Sequence, residues 1–279
     1  MMSKPSEIHR EVADFYTKAA TAPARGCCGE VKSKGVTAQS AGYDAAALEA
    51  LPEDAVANAF GCGDPVAFAR VQEGEVVVDL GSGAGIDLLL AAAKVGPEGR
   101  VIGVDMTAAM IAKARKNIAA AGLDNVEVRE GLIEALPVAT GTVDWVISNC
   151  VINLSPDKPR VFAEIARVLK PGGRMVVSDI VVEDLPEWVR RNQTLHSACI
   201  AGAITERAYT EGLGAAGLEE IEIEARLVYD AAQIEALLHS EIPGIETVPE
   251  SGGKTLAEVA QEIAGKIWSA KFSARKRAD

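Results

Sequence analysis

The sequence predicts an α/β protein: an open, doubly wound, mainly parallel sheet with an N-terminal arm and a C-terminal helical insert. Two observations carry that prediction. Between residues 75 and 180, short β-branched runs alternate with helical stretches, as parallel strands require because each needs a crossover. The first run also empties into a glycine-rich turn, Asp79-Leu80-Gly81-Ser82-Gly83-Ala84-Gly85, which opens a helix.

The elements follow in order. In residues 1 to about 40 only Ile8 to Ala20 reads as a helix, and the rest, including Gly26-Cys27-Cys28-Gly29, reads as a mobile arm. A helical piece runs from Ala45 to Glu49, and Pro52 opens another toward Asn58. Val76 to Leu80 is the first buried strand, Ile86 to Lys94 a helix and Arg100 to Val104 the second strand. Thr107 can cap a helix whose Met110, Ile111, Ala114 and Ile118 recur at helical spacing until Gly122 stops it. Val126 to Val128 and Val143 to Ser148 are the third and fourth strands. A helix from Asp157 to Lys170 carries Val161, Ile165 and Val168 on one face. Lys170-Pro171-Gly172-Gly173 closes it and leads into a fifth strand, Arg174 to Asp179. Glu187 to Ser197 and Glu206 to Ala215 read as helices, and Glu219 to Leu227 as a strand. Ala231 to Gly265 reads as two helices around a Pro/Gly-rich loop. Trp268, Ala270, Phe272 and Ala274 alternate with polar residues, giving a last strand. Three segments result: 1–70 with Cys27, Cys28 and Cys62, a cofactor-binding 71–180, and a substrate-site segment 181–279 holding the insert and final strands.

Composition narrows the function. Of 279 residues 48% are hydrophobic but only 4% aromatic, so Ala, Val, Leu and Ile must fill the core. A net charge of −12 repels phosphate backbones and anionic lipid, so neither nucleic acid nor membrane is expected as a partner. No apolar run approaches the ~20 residues of a membrane span. Met1 to Glu7 lacks a hydrophobic signal region, and a cytoplasmic location is expected. In that reducing compartment the five cysteines are expected as thiols rather than as a structural disulfide framework, with redox cycling during turnover left open.

The glycine turn is not the dinucleotide fingerprint, whose third glycine would fall where Ile86 stands. G-x-G-x-G preceded by Asp79 suits a ligand without pyrophosphate, the carboxylate meeting an ammonium group. Asp105, ending the second strand, can accept both hydrogen bonds of a ribose diol. The bland alternative is a tight turn that binds nothing. This pattern resembles the class I S-adenosylmethionine-dependent methyltransferases, whose fold is Rossmann-like. The resemblance implies S-adenosylmethionine as methyl donor, with no bound metal cofactor. It implies a cofactor site of Asp79, Gly81, Ser82, Gly83, Gly85, Asp105, Met106 and Asn149. Gly131, Leu132 and Ile133 would lie along the adenine, with Glu134 nearby.

A lone cysteine is most often a small buried hydrophobe. Context argues otherwise for three. Cys62 sits between glycines, Cys150 stands at the C-terminal end of a parallel strand where α/β proteins place ligands, and Cys199 follows a helix. No C-x-x-C or paired histidine spacing suggests zinc, and a three-coordinate soft site drawn from distant segments fits better. Asp105-Met106-Thr107, Ser148-Asn149-Cys150-Val151-Ile152-Asn153-Leu154, Pro156-Asp157-Lys158, Gly61-Cys62-Gly63 and Cys199-Ile200-Ala201-Gly202-Ala203 together resemble the arsenite methyltransferases, over about residues 40 to 225. By that resemblance Cys150 and Cys199 bind trivalent arsenic, Cys62 joins as ligand or redox partner, and Cys27 or Cys28 takes a further role. It implies arsenite and methylated arsenicals as substrates and a thiol reductant such as thioredoxin or glutathione. Cys62 with Cys150 is the expected redox pair, and a monomer is expected. Two other readings stand beside it: a methyltransferase of an organic small molecule whose cysteines only pack, and a non-enzymatic metalloid-binding protein.

Overall fold

A computed structural model describes residues 5–21, 38, 42–59, 61–241 and 246–278. Cys27 and Cys28, and the expectation of a mobile arm around them, lie outside the described residues. Seven strands form one sheet: β1 Val76–Leu80, β2 Arg100–Asp105, β3 Val126–Glu130, β4 Val143–Asn149, β5 Leu169–Val182, β6 Leu218–Val228 and β7 Ile267–Lys276, in spatial order β3-β2-β1-β4-β5-β7-β6. The pairs from β3 through β5 are parallel, and β7 runs antiparallel to both β5 and β6. The strand order therefore reverses between β1 and β4, the switch point where open α/β sheets gather ligands at their carboxyl ends.

Helices cover both faces, which is why β1 and β4 read as nearly continuous apolar runs. Against one face lie α4 Pro65–Phe68, α5 Ile86–Val95 and α6 Ala108–Ala121, through Val66, Leu88, Leu89, Ile111 and Ile118. Against the other lie α7 Lys158–Val168 and α10 Glu206–Ala215, through Val161, Phe162, Ile165, Tyr209 and Leu213. Tyr209 stacks on Phe272 of β7 with ring centroids 4.1 Å apart. A third apolar cluster contains Cys62, Cys150 and Cys199. It is roofed by α11 Ala231–Glu241 and α12 Leu256–Ile263, the two helices of the insert.

The structure corrects several boundaries. The helix expected to reach Lys170 ends at Val168 and β5 begins at Leu169, because a residue preceding proline is driven out of the helical region and Pro171 follows Lys170. Glu187 to Ser197 is two helices, α8 Glu187–Arg191 and α9 Gln193–Ser197. Between them Asn192 takes ψ 119°. Its side chain accepts the Leu195 amide at 3.0 Å and donates to the Pro249 carbonyl at 2.6 Å, so the break also anchors the insert. α4, capped by Asp64 through the Ala67 amide at 2.8 Å, was not expected. Ala45–Glu49 is α2 and Glu53–Ala57 is α3.

The helix expected over Ile8 to Ala20 is α1, Pro5–Thr21. This helix packs against α6 and α9, with Val12 only 2% exposed. Ile8, Val12, Phe15 and Tyr16 repeat at the spacing of one helix face and give it a reason to dock. Among the described residues no helix is long and apolar enough to cross a membrane.

Candidate active site

At the carboxyl end of the sheet, beside the β1–β4 switch, opens a cleft enclosing about 650 Å³ of space, the open solvent at its mouth included. The loop after β1 forms its floor. Gly83 has φ +51°, and a Cβ there would meet no atom within 4 Å, so its bare backbone faces open space. Its amide donates to Asp105 Oδ2 at 2.9 Å while the Thr107 amide donates to Oδ1 at 2.8 Å, fixing that carboxylate at the rim. Burial raises the Asp105 pKa, and these backbone donors pull it back. Gly131, Ile133 and Glu134 line the far wall, with Met106 and Met110 between. Glu134 accepts from Ser155 Oγ and, at 3.0 Å, from His9 Nε2 of α1.

The remaining expected cofactor residues stand elsewhere. Asp79 lies beneath the loop, 2% exposed and outside the cleft lining. Burial, then repulsion from Asp87 and Asp105, holds its pKa well above the carboxylate range. Ser82 and Gly85 shape the turn without lining the cleft, and Leu132 closes a small bridge with Ala135. Asn149 does not line the cleft and instead borders a smaller cavity with Gly81 and Ser82. Its Nδ2 donates to Gly63 O at 2.6 Å and Tyr43 Oη at 2.8 Å, and its Oδ1 accepts the Cys62 amide at 3.0 Å. That amide holds the Cys62 loop against β4 rather than facing the cleft. A Cβ at Gly61 would strike it, which explains the glycine before Cys62.

Beside the cleft lies a smaller, apolar pocket of about 250 Å³, lined by Cys62, Cys150 and Cys199 together with Tyr16, Gly61, Ile180, Ala198 and Leu237. Three segments far apart in sequence thus deliver three sulfurs to one place. Cys62 and Cys150 are joined by a disulfide with Cα atoms 6.0 Å apart. These are the two cysteines expected to pair by redox cycling, and the general expectation of thiols gives way for them alone among the described residues. Cys199 remains outside the bridge, its Sγ donating to the Cys150 carbonyl at 2.7 Å. Cys150 has φ +57° and Cys199 φ +61°, a left-handed backbone uncommon for side chains with a Cβ and frequent at functional sites. The Cys150 amide is bonded to Ser178 O at 2.8 Å, and the Cys62 carbonyl accepts from Ser269 Oγ of β7 at 2.9 Å, so sheet strands fix both sulfurs. Lys158, its pKa lowered by burial, lies within electrostatic reach of Asp179, Cys199 and Glu134.

Sequence reasoning missed α1 as a wall of the cleft, and with it His9, Val12 and Tyr16. It also missed Tyr43 and Asp87. The Tyr43 hydroxyl donates to Asp87 at 2.9 Å, extending the Asn149 network beneath the glycine loop. The apolar spacing of α1 was the available signal. Nothing local announces Leu237.

This sheet order, with an acid-flanked glycine loop at the switch point and an acid closing β2, defines the class I S-adenosylmethionine-dependent methyltransferase fold. Residues 71–222 match a methyltransferase domain family. The chain is 43% identical over 233 residues to the arsenite methyltransferase of Halobacterium salinarum, covering 78% of this chain and 59% of that protein. It superposes with TM-score 0.65 on the crystal structure of an arsenic(III) S-adenosylmethionine methyltransferase from Chlamydomonas reinhardtii. There it is 32% identical and covers 83% of this chain and 72% of that one. A shorter match, 34% identical over 119 residues, joins 43% of this chain to half (50%) of the demethylmenaquinone methyltransferase of Listeria monocytogenes. The chain belongs to the arsenite methyltransferase family. It spans between 44% and 59% of the length of the five curated arsenite methyltransferases it matches.

Proposed function

We propose that the protein transfers the methyl group of S-adenosylmethionine to thiolate-bound trivalent arsenic, a detoxification chemistry. The observation that carries this reading is the meeting of Cys62, Cys150 and Cys199 in one pocket that shares Cys150 with the neighbouring cleft. A soft, thiophilic centre suits three sulfurs in an apolar setting better than a hard cation does. An organic acceptor would need no such convergence.

The cleft residues fit the methyl donor. Burial first, then the charges of Asp87 and Asp105, raise the proton affinity of Asp79 beneath the glycine loop, and a ligand ammonium nearby would relieve that repulsion. Asp105 keeps a lone pair on each oxygen for a ribose diol, and Gly131 and Ile133 offer a flat wall for an adenine. Bound in this cleft, S-adenosylmethionine supplies a methyl carbon activated by the positive charge on its sulfur.

The chain's own task is then positional. Three sulfurs hold arsenic with its lone pair toward the cleft. That lone pair forms the new As–C bond while the C–S bond breaks, its electron pair leaving with the donor sulfur as a neutral thioether. No proton leaves the nucleophile, so no general base is needed. Alignment of this kind supplies ~7–11 kcal/mol of a barrier. Methylation takes arsenic from +3 to +5, and closing Cys62–Cys150 as a disulfide returns two electrons to it. A dithiol or glutathione-type reductant reopens the bridge. Cys27 or Cys28 would relay electrons from that reductant. The bridged pair corresponds to the oxidised form, in which Cys199 alone of the three pocket cysteines could still bind arsenic.

Arsenite titration of the full chain tests this. Protein treated with a dithiol and then desalted should bind about one arsenic per chain at this site, and the oxidised protein should not. Cys199→Ser should weaken capture at least ~100-fold, as loss of one arm of a three-point chelate demands. Equal binding by oxidised and reduced protein would refute the reading.

A further inference from the structure

Two residues line both the cleft and the thiol pocket: Cys150 and Tyr16. Cys150 belongs to the arsenic chemistry. Tyr16 belongs to α1, and it is the one Tyr, Phe or Trp side chain lining either cavity among the described residues. Its hydroxyl donates to the Ser197 carbonyl at 3.4 Å, two residues before Cys199, and Phe15 meets its ring edge-on at 5.3 Å. The ring is therefore held between a helix that closes the cofactor cleft and the loop that carries a thiol. Val12 anchors the same helix from one turn earlier.

We infer that the Tyr16 ring borders the opening through which the methyl group passes, and that its π-face recognises the positive charge of the donor. The inference rests on the reading of the cleft as a methyl-donor site. Its chemistry is independent of arsenic. A donor seated in the cleft with its methyl directed at Cys150 brings its sulfonium to the border of the two cavities, where Tyr16 stands. An aromatic face attracts a cation there and excludes the water that would otherwise solvate it. After transfer the sulfur is neutral and that attraction disappears, so the same ring favours the substrate over the product. The charged donor is held and the spent one released by one side chain.

The test is binding, without arsenic or turnover. Calorimetric Kd values for S-adenosylmethionine and S-adenosylhomocysteine are measured on the full chain as wild type, Tyr16→Phe and Tyr16→Leu. Tyr16→Leu should weaken S-adenosylmethionine roughly three- to thirtyfold and leave S-adenosylhomocysteine within about twofold. Tyr16→Phe should preserve the wild-type ratio, because the ring and not the hydroxyl reads the charge. If Tyr16→Leu weakens both ligands equally, the residue merely docks α1 and the inference is overturned. An unchanged ratio in every variant overturns it too. Failure of the wild-type protein to bind either ligand would instead remove the methyl-donor reading on which the inference stands.

Discussion

At the residue scale, the site depends on how few groups hold each sulfur. Cys62 is fixed by two bonds to its backbone, Asn149 Oδ1 on its amide and Ser269 Oγ on its carbonyl. Asn149→Ala leaves the Cys62 amide and the Gly63 carbonyl unpaired in a buried place. It should lower stability by about 1–3 kcal/mol, read by denaturant unfolding. It should also slow re-formation of the Cys62–Cys150 bridge after reduction, followed by thiol titration. Unchanged stability would mean that water replaces the amide. Asn149→Asp is a sharper variant, since a carboxylate cannot donate to Gly63 O and would sit beside Asp87.

At the element scale, the central claim concerns α1, which the sequence reading gave as a helix without a place to dock. Val12→Asp places a charge where 2% of the side chain is exposed. Losing that burial costs about 1.5–3 kcal/mol of docking, before the charge is counted. Donor affinity should fall roughly tenfold or more, and hydrogen exchange in residues 5–21 should rise while the sheet stays protected. Rapid exchange throughout the sheet would instead mean that α1 is integral to the core. The alternation of strands and helices was legible because each element states its own period: Val77, Val78 and Leu80 in β1, Val161, Ile165 and Val168 in α7. What was illegible depended on distant partners. The break at Asn192 needs the Pro249 carbonyl, 57 residues away, and the docking of α1 needs α6 and α9. The cysteines were readable from their neighbours, glycines about Cys62 and a strand end at Cys150, but Leu237 and Tyr16 reach the thiols only through the fold. The position of Asn149 at a strand end was legible, but the Cys62 loop that its amide holds is far away in sequence.

At the scale of the whole molecule, buried acids couple stability to pH. Burial first, and the nearby Asp64 second, push Asp87 up to about 7. Burial pushes Asp179 up to about 7 despite the opposing charge of Lys158. Between roughly pH 4 and 7 the folded chain keeps these protons while the unfolded chain has released them, so folding stability from these groups falls as pH rises through that window. Asp87→Asn cannot ionise and should reduce the slope by one proton, about 1.4 kcal/mol per pH unit, in denaturant unfolding at pH 5, 6 and 7. A slope identical to wild type would show Asp87 ionised throughout. These acids lie under the same sheet end that joins the donor cleft to the thiol pocket, and that junction is what the functional reading stands on. The most direct measurement incubates reduced wild type and Cys150→Ser with arsenite, S-adenosylmethionine and a thiol reductant, then separates arsenic species by chromatography with mass detection. Methylated arsenicals should form with wild type and be lost with Cys150→Ser. Undiminished methylation by Cys150→Ser, or none by the wild type, would contradict the account.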